Sequence, residues 1–239
     1  MSNALSETLA AFSCSPKTTV APLGKGNIND TYFVQASDNP FVLQKISAEV
    51  FPDPAIVINN FEVISNHLAR NKGPEAAAFI MAAPMYTHEG SLTFTDSSVC
   101  YWRAQSYIES GNVQKIETIG HARSVGRTLA RFHQLFSDLH LGDIGDPLPG
   151  FHHLSLYLKA YDSHSGNISN DYGDSLYYCH SIVDKYRHRA KALERARERG
   201  ELRSQPIHGD PKLDNFIFDR AGFAVGLLDL DTVGAGLIY

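Results

Sequence analysis

One stretch restricts the chain more than any other: His208-Gly209-Asp210-Pro211-Lys212-Leu213-Asp214-Asn215, with Asp229 fourteen residues beyond Asn215 in Gly226-Leu227-Leu228-Asp229-Leu230-Asp231. Between the two polar clusters, Asn215-Phe216-Ile217-Phe218 and Phe223 to Leu228 read as short apolar strands, and Asp219-Arg220-Ala221-Gly222 carries turn residues. A hairpin of this length brings Asp229 back to the mouth from which Asn215 leaves. A carboxylate at 210, an amide at 215 and a second carboxylate at 229 are therefore expected to share one site. Taken singly, each is an ordinary turn or cap residue. In this order and at this spacing they match the way kinase-type enzymes place one catalytic carboxylate and two magnesium ligands.

The residue types suit that chemistry. A hydroxyl attacking a γ-phosphoryl group needs an oriented acceptor for its proton, and Asp210 is the candidate. Mg²⁺ takes oxygen ligands and retains several waters, so Asn215 and Asp229 as metal ligands leave coordination positions for the phosphates of ATP. Lys212 adds a point charge where negative charge gathers in the transition state and is counted as catalytic with Asp210.

With His-Gly-Asp where protein kinases carry His-Arg-Asp, and with Asn215 and Leu228-Asp229, the chain resembles the aminoglycoside phosphotransferase and choline kinase superfamily of small-molecule kinases. Within it, Gly26-Asn27-Ile28-Asn29-Asp30-Thr31-Tyr32, Phe41-Val42-Leu43-Gln44-Lys45-Ile46 and Val50-Phe51-Pro52-Asp53-Pro54 are most similar to the N-acetylhexosamine 1-kinase branch. The similarity runs from about Pro22 to the last residue. It implies an α+β, two-lobed, protein-kinase-like fold: a small, mainly antiparallel N-lobe over residues 1–108 and a larger, mainly helical C-lobe over residues 109–239. Relatives of this kind continue for several more helices, so the C-lobe is expected to be incomplete at its C-terminus.

The nucleotide side is read from the N-terminal half. Leu5 to Phe12 carry a helical pattern, and Val20 to Val34 read as strand, glycine-rich turn, strand. Gly24 and Gly26 let backbone amides approach a phosphate, and Asn27, Asn29 and Thr31 are counted with them as nucleotide-binding. In the next strand, Phe41 to Ile46, register can turn either Gln44 or Lys45 to the nucleotide. Lys45 is chosen because it alone carries charge. The following helix places Val57, Phe61, Ile64 and Leu68 on one stripe, and Glu62 beside it, 17 residues after Lys45, is the candidate ion-pair partner. Strands are expected from Ala78 to Met85 and from Leu92 to Tyr107. The latter runs into a hinge whose backbone at Ser106 to Ile108 would bind adenine; Trp102 is assigned to packing.

Beyond the hinge, Ala122, Val125, Leu129, Phe132 and Phe136 mark a long amphipathic helix, and His133 beside that stripe is assigned to the core. Phe151 to Tyr157, with the Asp210 loop, is the candidate acceptor pocket. Its His152, His153 and Ser155 suit neutral hydroxyls, which favours a sugar such as an N-acetylhexosamine. An aminoglycoside, choline or homoserine kinase, or a nucleotide-binding module without turnover, is the alternative. From Lys185 to Arg203, basic residues interleave with Glu194, Glu198 and Glu201 as on a solvated helix.

Composition narrows the partners. A net charge of −5 over 239 residues argues against general nucleic-acid affinity. Three separated cysteines, Cys14, Cys100 and Cys179, show neither zinc nor disulfide spacing. With neither a signal-peptide pattern in Met1 to Pro16 nor an apolar run of membrane-spanning length, a cytoplasmic protein is expected.

Overall fold

The computed structural model describes residues 3–15, 18–24, 28–36, 39–111, 113, 115–164 and 173–238. Gly26 and Asn27 of the expected nucleotide turn lie outside the described residues. The described part divides into two compact units, residues 1–148 with 205–238, and residues 149–204.

The first unit opens with helix α1 (Asn3–Ala11) and strands β1 (Thr19–Pro22), β2 (Asp30–Gln35) and β3 (Phe41–Ile46). Helices α2 (Pro54–Arg70) and α3 (Pro74–Ala77) follow, then β4 (Pro84–Met85), β5 (Thr93–Thr95) and β6 (Tyr101–Ser106). The strands form one antiparallel sheet in the order β1-β2-β3-β6-β4, with β5 also on β6. Strand alternation separates its faces. Leu5, Leu9 and Phe12 from α1 and its end cluster with Val34, Phe41, Leu43, Trp102 and Ala104, while Ile46 clusters with Phe51, Val57 and Ile58 at the start of α2.

Helix α2 has its start fixed by local groups. Pro54 occupies the first turn, where a missing N–H costs nothing, and the Asp53 carboxylate accepts from Ala55 N at 3.0 Å. Its expected stripe is split between two cores. Val57 serves the sheet, whereas Phe61 and Ile64 join a larger cluster with Phe79, Phe132, Phe136, Phe216, Phe218 and Leu227.

That larger cluster joins helix α4 (Ile119–Leu135) to the hairpin of β8 (Phe216–Phe218) and β9 (Ala224–Leu227). Phe132 and Phe136 are buried, but Ala122, at the head of the expected stripe, is exposed. Hydroxyls make the connection there: Ser124 Oγ accepts from Ala224 N and Thr128 Oγ1 donates to Ala224 O, both at 2.9 Å. The strand expected from Ala78 to Met85 shrinks to β4, because α3 ends just before it and Ile80 leaves to pair with the hairpin. Ile80 N–H donates to Val225 O and Ile80 O accepts from Leu227 N, each at 3.1 Å. A Cβ on Gly226 would lie 1.9 Å from Ile80 O, so only glycine permits this approach. Strands β7 (Gln205–Ile207) and β10 (Gly234–Gly236) pair antiparallel and flank the motif stretch.

The second unit holds α5 (Leu154–His164), α6 (Gly173–Tyr186) and α7 (Ala192–Glu198), and it is helical throughout its described elements. The antiparallel sheet followed by mainly helical structure is the α+β class expected from the sequence. Among the described residues no helix is long and apolar enough to cross a membrane.

Candidate active site

Asp210, Asn215 and Asp229 converge through the hairpin that the sequence anticipated. Phe216 pairs with Leu227, and Leu228 N–H donates to Asn215 O at 2.8 Å, so the strands carry Asn215 and Asp229 to one end. Asn215 is buried, and its Nδ2 donates to Asp210 O at 2.8 Å and to Asp210 Oδ2 at 3.3 Å. With the amide nitrogen committed to two oxygens, Oδ1 is the acceptor the side chain has to offer. Lys212 Nζ meets Asp210 Oδ2 at 2.6 Å, and this carboxylate first, with Asp229 adding, holds the ammonium above its ordinary pKa.

His208, quoted above only as part of the motif, organises both halves. Its Nε2 lies 2.8 Å from Leu228 O and its Nδ1 accepts from Asp210 N at 3.4 Å. A carbonyl on one nitrogen and an N–H on the other select the neutral Nε2–H tautomer. Burial pushes its pKa down, in agreement. One imidazole thus ties the backbone before Asp229 to the backbone of Asp210. Gly209 makes the turn between them at φ +82°, packed so that a Cβ would lie 2.4 Å from Thr232 O. Thr232 Oγ1 donates back to His208 O at 2.8 Å.

Asp229 itself sits in the left-handed region, at φ 57° and ψ 65°, heading the 3₁₀ turn Leu230–Thr232. Its carboxyl is pushed up to about 6, first by the protein crowded around it and next by the Asp231 charge, with Asp210 adding and Arg103 and Lys212 opposing. Solvent reaches the residue and screens part of that repulsion. Of the carboxylates around it, Asp231 is paired with Arg103 and Asp210 with Lys212, which leaves Asp229 as the one without a cationic partner among the described residues. Among the described residues no three His, Cys, Asp or Glu side chains converge as an all-protein metal cage. One carboxylate and one amide oxygen fit Mg²⁺ only if a nucleotide supplies further oxygens, as is usual for this ion.

The expected Lys45–Glu62 ion pair is not made. Lys45 Nζ pairs with Asp30 Oδ2 at 3.3 Å, near the surface, and Glu62 accepts from Tyr86 Oη at 3.3 Å. The reason is register. Across β3 and β6 Lys45 stands opposite Trp102, which packs on the α1 side, whereas Gln44 stands opposite Arg103. The strand that was to supply the buried cation supplies Gln44, and the cation comes from β6.

Arg103 is 2% exposed and Asp231 3%. Arg103 Nη2 bonds Asp231 Oδ1, while its Nε and Nη2 reach Gln44 Oε1 at 3.1 and 2.8 Å and its guanidinium lies 5.2 Å from the Phe61 ring centroid. Asn29 Nδ2 donates to Asp231 Oδ2 and Asn29 Oδ1 accepts from Ser47 N at 2.9 Å. Thr31 Oγ1 accepts from Gln44 Nε2 at 3.2 Å. Asn29 and Thr31, expected beside the nucleotide, are thus joined to the segment after Asp229. Nothing in the pattern of β6 marked Arg103 as buried, because a cation alternating with Trp102 and Ala104 reads equally well as the wet face of a strand. Asn60 was also missed. It is 1% exposed, and its Nδ2 donates to Gly145 O and Val233 O, both at 2.9 Å.

Gly24 adopts φ +76° at the entrance to the glycine-rich turn. In the expected hinge, Ser106 N–H donates to Ala83 O and its Oγ accepts from Ala83 N, both at 2.9 Å, and Ile108 packs against the large cluster. Within the second unit, His152 N–H donates to Tyr157 Oη at 2.9 Å and Ser155 Oγ donates to Glu194 Oε1 at 2.8 Å.

Solved structures share this fold at low identity. One described as the GDP and kanamycin complex of APH(2")-IIia is 14% identical with a TM-score of 0.63, covering 96% of this chain and 72% of its own. A thermostable mutant of aminoglycoside phosphotransferase APH(4)-Ia with AMP-PNP and hygromycin B is 11% identical with a TM-score of 0.60, covering 98% and 73%. A microcompartment-associated aminopropanol kinase is 13% identical with a TM-score of 0.57, covering 98% and 70%. At these identities the likeness carries the kinase-like fold. The sequence match to the APH phosphotransferase enzyme family runs over residues 19–239 and takes in both the sheet and the whole Asp210–Asp231 stretch, so the chain belongs to that family and is a small-molecule kinase.

Proposed function

We propose that the protein transfers the γ-phosphoryl group of ATP to a hydroxyl of a small polar metabolite, with Asp210 as the base and Asn215 and Asp229 as the magnesium ligands. The observation that carries this reading is the joint hold on Asp210 and Asn215: Asn215 Nδ2 donates to Asp210 O and Oδ2, which leaves Oδ1 as the oxygen it can offer a cation. Asp210 keeps a carboxylate edge for the acceptor hydroxyl, and Lys212 beside it offsets the charge that grows as the proton moves. Asn215 and Asp229 would hold Mg²⁺, which would supply positive charge to offset the charge developing on the transferred phosphoryl group. The Gly24 turn serves the phosphate side, with Asn29 and Thr31 fixing the strand that leaves it, and Ser106 to Ile108 the base.

For the acceptor, similarity to the N-acetylhexosamine 1-kinase branch and the neutral hydrogen-bonding residues His152, His153 and Ser155 favour a sugar, handled in the cytoplasm. Amino alcohols and aminoglycosides are the second reading, favoured by the kanamycin, hygromycin B and aminopropanol named for the structural relatives. The GDP in one of those structures makes GTP a donor to compare with ATP.

The test is nucleotide consumption with N-acetylhexosamines, aminopropanol, choline, homoserine, kanamycin and hygromycin B, with and without Mg²⁺. Asp210→Asn should abolish transfer and leave nucleotide affinity within about twofold; turnover retained by that variant would overturn the base assignment.

A further inference from the structure

We propose that Asp231, gripped between Arg103 and Asn29, is the positioning residue for Asp229, and that this buried contact sets the protein's affinity for the divalent cation. The inference rests on the kinase reading, in which Asp229 holds the metal.

The geometry around Asp229 is that of a short arc pinned at both ends. Upstream, Leu228 is fixed by its N–H to Asn215 O and by its carbonyl to His208. Downstream, Asp231 and Val233 are fixed, the first by Arg103 and Asn29 and the second by Asn60. Between the pins Asp229 holds a left-handed conformation that a non-glycine residue keeps only when its surroundings over-determine it. Two of the downstream anchors come from distant parts of the chain: Arg103 from the middle of β6 and Asn29 from the residue just before β2. The direction of the Asp229 carboxylate is thereby tied to the sheet and to the nucleotide turn together.

Only a carboxylate can fill this place. Both partners, Arg103 Nη2 and Asn29 Nδ2, are donors, and Asp231 presents an acceptor oxygen to each. An amide at 231 would set an NH₂ group against one donor or the other. If residue 29 carried the carboxylate and residue 231 the amide, the pattern would close again. The carboxylate at 29 would accept from Ser47 N, as Asn29 Oδ1 does now, and from the new amide, whose oxygen would serve Arg103. The contact is therefore chemically reversible, which a merely space-filling role would not require.

The experiment measures Mn²⁺ binding in the presence of ADP by the loss of the free-ion electron paramagnetic resonance signal, with metal-free ADP affinity measured separately by calorimetry. Asp231→Asn should weaken Mn²⁺ binding by about tenfold, as loss of a partner behind a metal ligand commonly does, while metal-free ADP binding changes less than twofold. The exchange Asn29→Asp with Asp231→Asn should return Mn²⁺ affinity to within about threefold of wild type. Wild-type affinity in folded Asp231→Asn would overturn the proposal, as would an exchanged pair that fails to fold or recovers nothing. Should Asp231→Asn alone not fold, recovery by the exchanged pair still decides the matter. Wild-type protein that binds ADP but takes up no Mn²⁺ with it would overturn the metal-dependent kinase reading, and this inference with it.

Discussion

Replacing Gly209 by alanine tests the packing that places Asp210. Two costs arise. The residue holds φ +82°, and a Cβ there in the left-handed region costs about 1–2 kcal/mol. The new methyl would also stand 2.4 Å from Thr232 O and 2.9 Å from Thr232 Cβ and Oγ1, a clash with backbone that only movement of the catalytic loop relieves. Overpacking of this kind costs about 1–3 kcal/mol. Gly90 supplies the control, since it holds φ +80° with nothing within 4 Å of its would-be Cβ. Gly90→Ala should therefore lose about 1–2 kcal/mol and Gly209→Ala about 2–5 kcal/mol. In a chain of this size each kcal/mol is about 2–4 °C of melting temperature. Urea midpoints and thermal melts of the two variants measure the difference. Gly209→Ala should also lose about a hundredfold in phosphoryl transfer, the scale on which an ångström of misplacement acts, while Gly90→Ala keeps wild-type turnover. If the two variants are equally stable and equally active, Gly209 does not pack on Thr232 and the account of the loop fails.

Lys45→Ala should change nucleotide affinity less than twofold and stability by under about 1 kcal/mol, because its pair with Asp30 is near the surface; a tenfold loss in nucleotide binding by calorimetry would mean that the register had been misread. The histidines' share of the stability should fall as pH drops from 7.5 to 5.5, against a smaller opposing gain from Asp229, whose carboxyl is pushed up to about 6 and takes up its proton in the folded state. Burial lowers the pKa of His208 and His133, so the unfolded chain takes up their protons near pH 6.5 while the folded one resists. Urea midpoints across that range should fall less steeply in His208→Gln, and an unchanged slope would show that His208 is not held neutral.

Local order in the sequence was enough for the hairpin and for bringing Asn215 and Asp229 to one end of it, because two apolar strands joined by a short turn pair with each other; the irregularity at Ile217 and Phe218 was not legible. The stripe of α2 was likewise legible in Val57, Phe61 and Ile64, whereas its start, capped by Asp53 ahead of Pro54, was read from the structure. What the sequence left open was which side of a strand faces what. Gln44 and Lys45 are neighbours with opposite orientations, and only the pairing of β3 with β6 turned Gln44 toward Arg103 and Lys45 toward Trp102. Partners at a distance were equally hidden. Arg103 and Asp231 lie 128 positions apart and Asn29 and Asp231 lie 202 apart, so no local pattern marks either contact. Arg103, Asp231 and Asn60 carry polar side chains whose burial no sequence pattern announced. Burial became tolerable only when the folded chain brought donors to acceptors, since a buried polar group without a partner is costly. Spacing therefore grouped the residues proposed for the chemistry, and the contacts that hold them in place were decided by tertiary structure.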